Sequence, residues 1–130
     1  MTEQQLTAWM DAYGAAFEKQ NADAAAALFN PDATYQWGPF GETLVGPDEI
    51  RAKWEQVSDP PASPVTFDYE VIAVTDAVGV ARWLATHSYP QEGKRFRYDG
   101  IFEVALGGDG LCTSFREWCN TREEPLGAAP

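Results

Sequence analysis

The sequence predicts one α+β domain, with helices in the first half and a strongly curved, mostly antiparallel sheet in the second. Three observations carry this reading. Apolar residues recur at steps of three and four from Leu6 to Phe17, and again at Ile50, Trp54 and Val57. From Val65 onward the period changes to two. Turn-forming clusters at 76–79, 90–93 and 107–110 then punctuate the chain. A length of 130 residues supports one good core and not two. With 45% hydrophobic and 22% charged residues, the chain has the balance of a globular domain.

Thr2 and Gln5 have the spacing of a reciprocal helix cap. They open a helix whose stripe is Leu6, Trp9, Met10, Tyr13 and Phe17, running to about Gln20. Asn21 caps a shorter helix over 22–29, stopped by Asn30-Pro31-Asp32 because the residue before a proline avoids the α region. A short strand over 33–37 places Tyr35 and Trp37 on one face and ends at Gly38-Pro39-Phe40-Gly41. Gly46-Pro47-Asp48-Glu49 starts a third helix, with proline in the first turn and acids against the positive dipole end. Residues 59–64 read as a stiff extended connector. Strands follow from 65, over 80–89, over 94–106 and over 111–121, as a meander. Long strands coil, and Gly100 permits a sharp bend, so the sheet wraps the helices and encloses a cavity at one end. Residues 1–122 are expected to form the domain and 123–130 a flexible tail.

Composition narrows the function. A net charge of −11 argues against nucleic acid or an anionic membrane surface as the main partner. No stretch is apolar over the length a membrane helix needs. The start, MTEQQLTAWM, lacks the basic and apolar regions of a signal peptide, so the expected compartment is cytoplasmic. Cys112 and Cys119 fall on opposite faces of a regular strand and read as free buried thiols. With the lone His87 they give no metal-ligand spacing, so no metal is expected. Ser88 and Ser114 lack a nucleophile-elbow context, and no glycine-rich phosphate loop opens a helix. The sequence therefore calls for no cofactor and no covalent catalysis.

The run Phe29-Asn30-Pro31-Asp32-Ala33-Thr34-Tyr35, with Trp37, Pro39-Phe40-Gly41, Gly46, Ile50 and Trp54, resembles the NTF2-like superfamily, in particular its SnoaL-like bacterial branch. Tyr98-Asp99-Gly100-Ile101-Phe102, Asp109-Gly110 and Arg116-Glu117-Trp118 continue the pattern. The resemblance implies a cone-shaped, cystatin-like fold with about three N-terminal helices, commonly dimeric, with a pocket between helices and sheet. The superfamily hosts steroid isomerases, polyketide cyclases, epoxide hydrolases, dehydratases and binding-only members, so the fold does not choose the chemistry. Tyr35-Gln36-Trp37-Gly38 has no acid where the steroid isomerases place their aspartate base, and Phe102 stands near their second acid. Arg82-Trp83-Leu84-Ala85 lacks the Asp-Arg-Asp arrangement of the limonene epoxide hydrolases. Both activities are disfavoured.

Strand parity, in the register the resemblance implies, puts Thr113, Phe115, Glu117 and Cys119 on the concave face. Tyr98, Gly100, Phe102 and Val104 join them, and Ala81, Trp83, Ala85 and His87 share a wall. The candidate catalytic residues are Glu117 and His87, because a carboxyl among rings is desolvated and an imidazole titrates near neutrality. The candidate ligand-binding residues are Tyr13, Tyr35, Trp37, Trp83, Tyr98, Phe102 and Phe115. Competing readings stand beside these. Glu117 could pair with an arginine or sit at the mouth, and His87 could be exposed beside the turn at Ser88-Tyr89-Pro90. Tyr13 could be core, and Trp37 and Trp83 could be packing. Trp9, Phe17, Phe29 and Trp54 read as plain core. Arg116 and Trp118, on the convex face, suit a homodimer interface. Lys94-Arg95-Phe96-Arg97 reads as a solvated strand start that offsets acidic neighbours. The expected partner is a small apolar or aromatic ligand. The expected function is cofactor-free proton transfer of isomerase, cyclase or dehydratase type. The alternatives are a non-catalytic binding module and a dimerisation module.

Overall fold

The reciprocal cap forms. Thr2 Oγ1 accepts from the Gln5 amide at 3.1 Å, and Gln5 Oε1 accepts from the Thr2 amide at 2.8 Å. It starts α1 (Glu3–Glu18), which buries Leu6, Trp9, Met10 and Tyr13 along its apolar stripe. A computed structural model describes residues 1–58 and 61–127. After α1 come α2 (Ala22–Ala26), β1 (Phe29–Gln36), β2 (Thr43–Val45), α3 (Gly46–Val57), β3 (Val65–Val74), β4 (Gly79–Tyr89), a short 3₁₀ turn (Pro90–Glu92), β5 (Lys94–Leu106) and β6 (Cys112–Pro125). The strands form a six-stranded sheet in the order β2-β1-β6-β5-β4-β3. Only the β1–β6 pair among the described strands is parallel. The three helices pack on the curved sheet, the α+β architecture expected.

The differences from expectation have local causes. The second helix is shorter than 22–29: it ends at Ala26 and Phe29 already opens β1. The Leu28 carbonyl is taken by the Cys112 amide at 2.8 Å, so the sheet claims this backbone before the proline can stop a helix. Asn30-Pro31-Asp32 lies inside β1, where Asn30 Oδ1 accepts from the Asp32 amide at 2.9 Å and the register slips. The three-residue β2, absent from the sequence reading, pairs with β1 just before Gly46. Gly46 has φ of +81°, and a Cβ there would lie 2.8 Å from the Pro31 carbonyl oxygen, so a side chain is excluded twice over.

A register shift near the start of β6 leaves Thr113 without a partner across from Ala105 and Leu106. Parity therefore breaks there. Thr113, expected on the concave face, is exposed, and Cys112 is fully buried instead. Both cysteines are free, but only Cys112 is buried as expected; Cys119 is exposed, further along β6 where most residues of the strand are exposed. The tail expected from Glu123 is corrected too, because β6 continues to Pro125 and pairs with β5 at Lys94, Arg95 and Phe96. Arg95 Nε and Arg97 Nη2 donate to Glu124 Oε1 at 2.6 and 2.9 Å, so the basic cluster is tied to this strand end. Residues 128–130 of that tail, and Asp59 and Pro60 of the expected connector, lie outside the described residues.

The core is a continuous aromatic stack. Phe115 lies 4.5 Å from Tyr35 and 4.6 Å from Phe102, centroid to centroid, and Phe102 lies 4.8 Å from Trp83. Such offset and tilted contacts add to the burial of the rings. They fill the closed part of the cone between α1 and the concave face.

Candidate functional site

The open part of the cone holds a cavity of about 370 Å³. Each wall traces to an element. α1 supplies Tyr13 and Phe17, with Gln20 just past its end; α3 supplies Trp54 and Val57; β1 supplies Tyr35, with Trp37 just beyond it. The sheet supplies Trp83, His87 and Tyr89 from β4, Phe96 and Tyr98 from β5, and Glu117, Cys119 and Thr121 from β6. The lining is mostly ring, the build of a site for an apolar ligand.

The structure brings seven of the nine sequence candidates to this cavity: Glu117, His87, Tyr13, Tyr35, Trp37, Trp83 and Tyr98. The other two, Phe102 and Phe115, are fully buried in the ring stack and do not line it. They have the right face but the wrong depth, because a period of two fixes the side of the sheet and not the distance along the cone. Phe17 and Trp54, read as plain core, line the cavity. Phe96, Tyr89 and Thr121 were legible by stepping two residues along the strands from Tyr98, His87 and Cys119. Gln20 had no sequence signal. It sits at φ of +51°, and its amide clamps Ala62, donating to the carbonyl at 2.7 Å and accepting from the N–H at 3.0 Å.

The electrostatics follow from burial. Desolvation raises the Glu117 carboxyl to about 7. No described side chain or backbone group completes a hydrogen bond or ion pair with it. No arginine among the described residues pairs with Glu117; its neighbour Arg116 points to the other face, where Nη2 donates to Glu103 Oε2 at 2.7 Å. The Tyr13 and Tyr35 hydroxyls share a hydrogen bond of 3.0 Å. Both phenols are pushed well above their usual range, first by burial; the Glu117 charge adds to this in each. The carboxyl and both phenols line the one cavity. Burial lowers the His87 imidazole. Its ring stacks on Phe17 at 5.1 Å, and Nδ1 lies 3.4 Å from the Tyr98 hydroxyl. Burial also pushes the Tyr98 phenol up to about 12.

Trp83 Nε1 and Trp54 Nε1 are buried donors without partners. A Cβ on Gly100 would lie 2.7 Å from Trp83 Nε1 and 1.9 Å from the Trp118 carbonyl oxygen, so the Trp83 indole nitrogen sits against Gly100. Trp54 Nε1 lies beside the Tyr35 hydroxyl, close enough to lower that phenol, but it completes no hydrogen bond with it.

Comparison with known proteins matches the fold and the family. The family model of the SnoaL-like domain matches residues 8–115. The chain belongs to the SnoaL-like domain family, within the NTF2-like superfamily. No curated protein matches this SnoaL-like chain in sequence. Among solved structures, it is similar to SalBIII, an epoxide hydrolase/cyclase-like enzyme in pyran ring formation in the polyether salinomycin. The TM-score is 0.76 at 16% identity, over 91% of this chain and 92% of that one. It is similar to RV0760c from Mycobacterium tuberculosis, with a TM-score of 0.77 at 15% identity, over 95% of this chain and 99% of that one. It is also similar to a hexachlorocyclohexane dehydrochlorinase (LinA) type 2, with a TM-score of 0.73 at 14% identity, over 98% and 92%. At these identities the likeness is one of fold.

Proposed function

We propose that the cavity binds a small apolar or aromatic molecule and that Glu117 moves a proton on it without a cofactor. The single observation behind this is the Glu117 carboxyl, raised to about 7 in a ring-lined cavity and tied up by no partner among the described residues. A carboxylate poised near the working pH abstracts a carbon-bound proton and returns it elsewhere. The Tyr13–Tyr35 pair has two hydroxyl hydrogens and spends one on its mutual bond, leaving one to hold an oxygen on which charge develops. Isomerisation, cyclisation and dehydration all begin from such a step. The surrounding rings exclude water and would hold the ligand skeleton.

A second reading, binding without turnover, draws on one observation. No described group hydrogen-bonds the Glu117 carboxyl into a fixed orientation, which a catalytic base usually has. One experiment separates the two. Ligands are first found by thermal shift, and exchange of their enolisable hydrogens is followed by NMR in D₂O. Enzyme-dependent exchange that falls about 10²–10⁴-fold in Glu117→Gln supports proton transfer. Binding by both proteins with no exchange in either supports the binding module.

A further inference from the structure

We propose that the ligand of this cavity carries a protonated amine and that Glu117 is its counterion. The proposal rests on the reading of the cavity as a ligand site and names the chemical class of what enters. It is a statement about binding and holds with or without turnover.

The charges on the wall are one-sided. Glu117 lines the cavity, and no Lys or Arg among the described residues does. Desolvation alone raises its carboxyl, with no charge or hydrogen bond offsetting it. His87 is the one wall residue besides that could turn positive, and burial lowers its imidazole, so it is neutral at pH 7. Burial likewise keeps the phenols of Tyr13, Tyr35 and Tyr98 and the Cys119 thiol protonated. A carboxylate inside a protein is paired, or it stays neutral. Here the protein supplies no positive partner, so that partner comes with the ligand.

An ionised carboxylate accepts hydrogen bonds and donates none. A protonated amine brings it both the opposite charge and the N–H donors, whereas a neutral ligand leaves the charge unpaired. The rings suit the same cation, because aromatic faces attract ammonium groups. Two rings of the lining already do so within the chain. Lys53 Nζ lies over Trp37 at 5.6 Å, and Lys94 Nζ over Phe96 at 5.3 Å. Acids answer both lysines, Glu42 at 3.2 Å and Glu123 at 3.3 Å, so neither presents an unpaired charge to an incoming amine. The net charge of −11 draws cations towards the molecule as a whole.

The test titrates two probes of one skeleton, 2-aminotetralin and 2-tetralol, into wild type and into Glu117→Gln at pH 8, where the amine is protonated and Glu117 is ionised. The expected result is that the amine binds wild type more tightly than the alcohol by about tenfold or more. Glu117→Gln should remove most of this preference while alcohol binding is kept. Calorimetry on wild type at pH 6 gives an independent reading should Glu117→Gln not fold. Glu117 is mostly protonated there, so the amine should expel about one proton per molecule bound and the alcohol none. The proton count comes from the dependence of the binding heat on the ionisation heat of the buffer. Alcohol binding as tight as that of the amine, a preference that survives Glu117→Gln, or amine binding without proton release overturns the counterion assignment and leaves the ligand site intact. Binding of neither probe overturns both the assignment and the ligand-site reading.

Discussion

Glu117 is stabilised as the neutral acid, and this has a measurable consequence for folding. Its carboxyl rises from 4.5 to about 7 on folding. Between those values the native state binds a proton that the unfolded chain has lost, so stability falls as pH rises, and the loss is complete above about 7. The size of the shift corresponds to about 3 kcal/mol. Glu117→Gln should therefore resist urea better than wild type at pH 8.5, by up to about 3 kcal/mol, and match it near pH 4.5. The same urea difference at both values would contradict a desolvated acid. His87 works from the other side. Burial lowers its imidazole, so stability is lost as pH falls below the ordinary 6.5 and through the lower folded value. Gly100 is the other residue whose identity is forced. A Cβ there meets the backbone oxygen of Trp118 at 1.9 Å, which cannot move without breaking the β5–β6 pairing. Gly100→Ala should cost about 2–3 kcal/mol, read as a drop in the urea midpoint.

At the scale of elements, one wall residue of the cavity, Gln20, ties together segments far apart in sequence. Gln20, just beyond the end of α1, binds both backbone groups of Ala62 ahead of β3. It does so from a left-handed conformation that a non-glycine residue adopts at a cost. The compensation is the pair of hydrogen bonds at a buried backbone. Gln20→Ala should lower stability by about 1–2 kcal/mol and speed hydrogen exchange at the Ala62 amide more than at amides of β5. Unchanged Ala62 protection would show that the segment is held by other contacts. The sheet elements divide their faces just as sharply. Inside are rings; outside, Arg82 donates to both Asp99 oxygens at 3.0 and 2.6 Å and reaches Glu70. Arg82 holds the Asp99 carboxyl below its usual range by that hydrogen bonding. Exposed pairs of this kind add little stability and mainly keep strand register and solubility.

For the whole molecule, the convex face raises the question of a partner. Leu84, at 37%, and Trp118, at 36%, are exposed there; Ile101 pairs with Trp118 across β5 and β6, and Leu84 stands opposite Asp99. Arg116 lies over the Trp118 ring at 5.0 Å. We propose that this face joins two copies of the chain, since exposed Trp and Arg are enriched at interfaces. Light scattering at micromolar concentration should give a dimer mass for wild type and a monomer mass for Trp118→Glu. A monomer in both cases removes the proposal. No helix among the described residues is long and apolar enough to cross a membrane.

The sequence by itself determined the element types, because amphipathic periods of 3.6 and 2 and the turn residues between them are local signals. It also determined the face of the sheet on which Glu117, His87, Tyr98 and Trp83 lie, because pleating alternates side chains without regard to the rest of the fold. Tertiary structure decided what those signals cannot encode. Depth along the cone separated Tyr98, at the cavity, from Phe102, in the stack, although the two share one face. An unpaired residue at Thr113 inverted the parity of Cys112, because a bulge depends on how two strands meet. Pairing with Arg95 and Arg97 drew Glu124 into a strand that composition alone reads as a tail. The burial of the Trp54 N–H beside the Tyr35 hydroxyl likewise depends on how α3 packs against β1, which no local signal encodes.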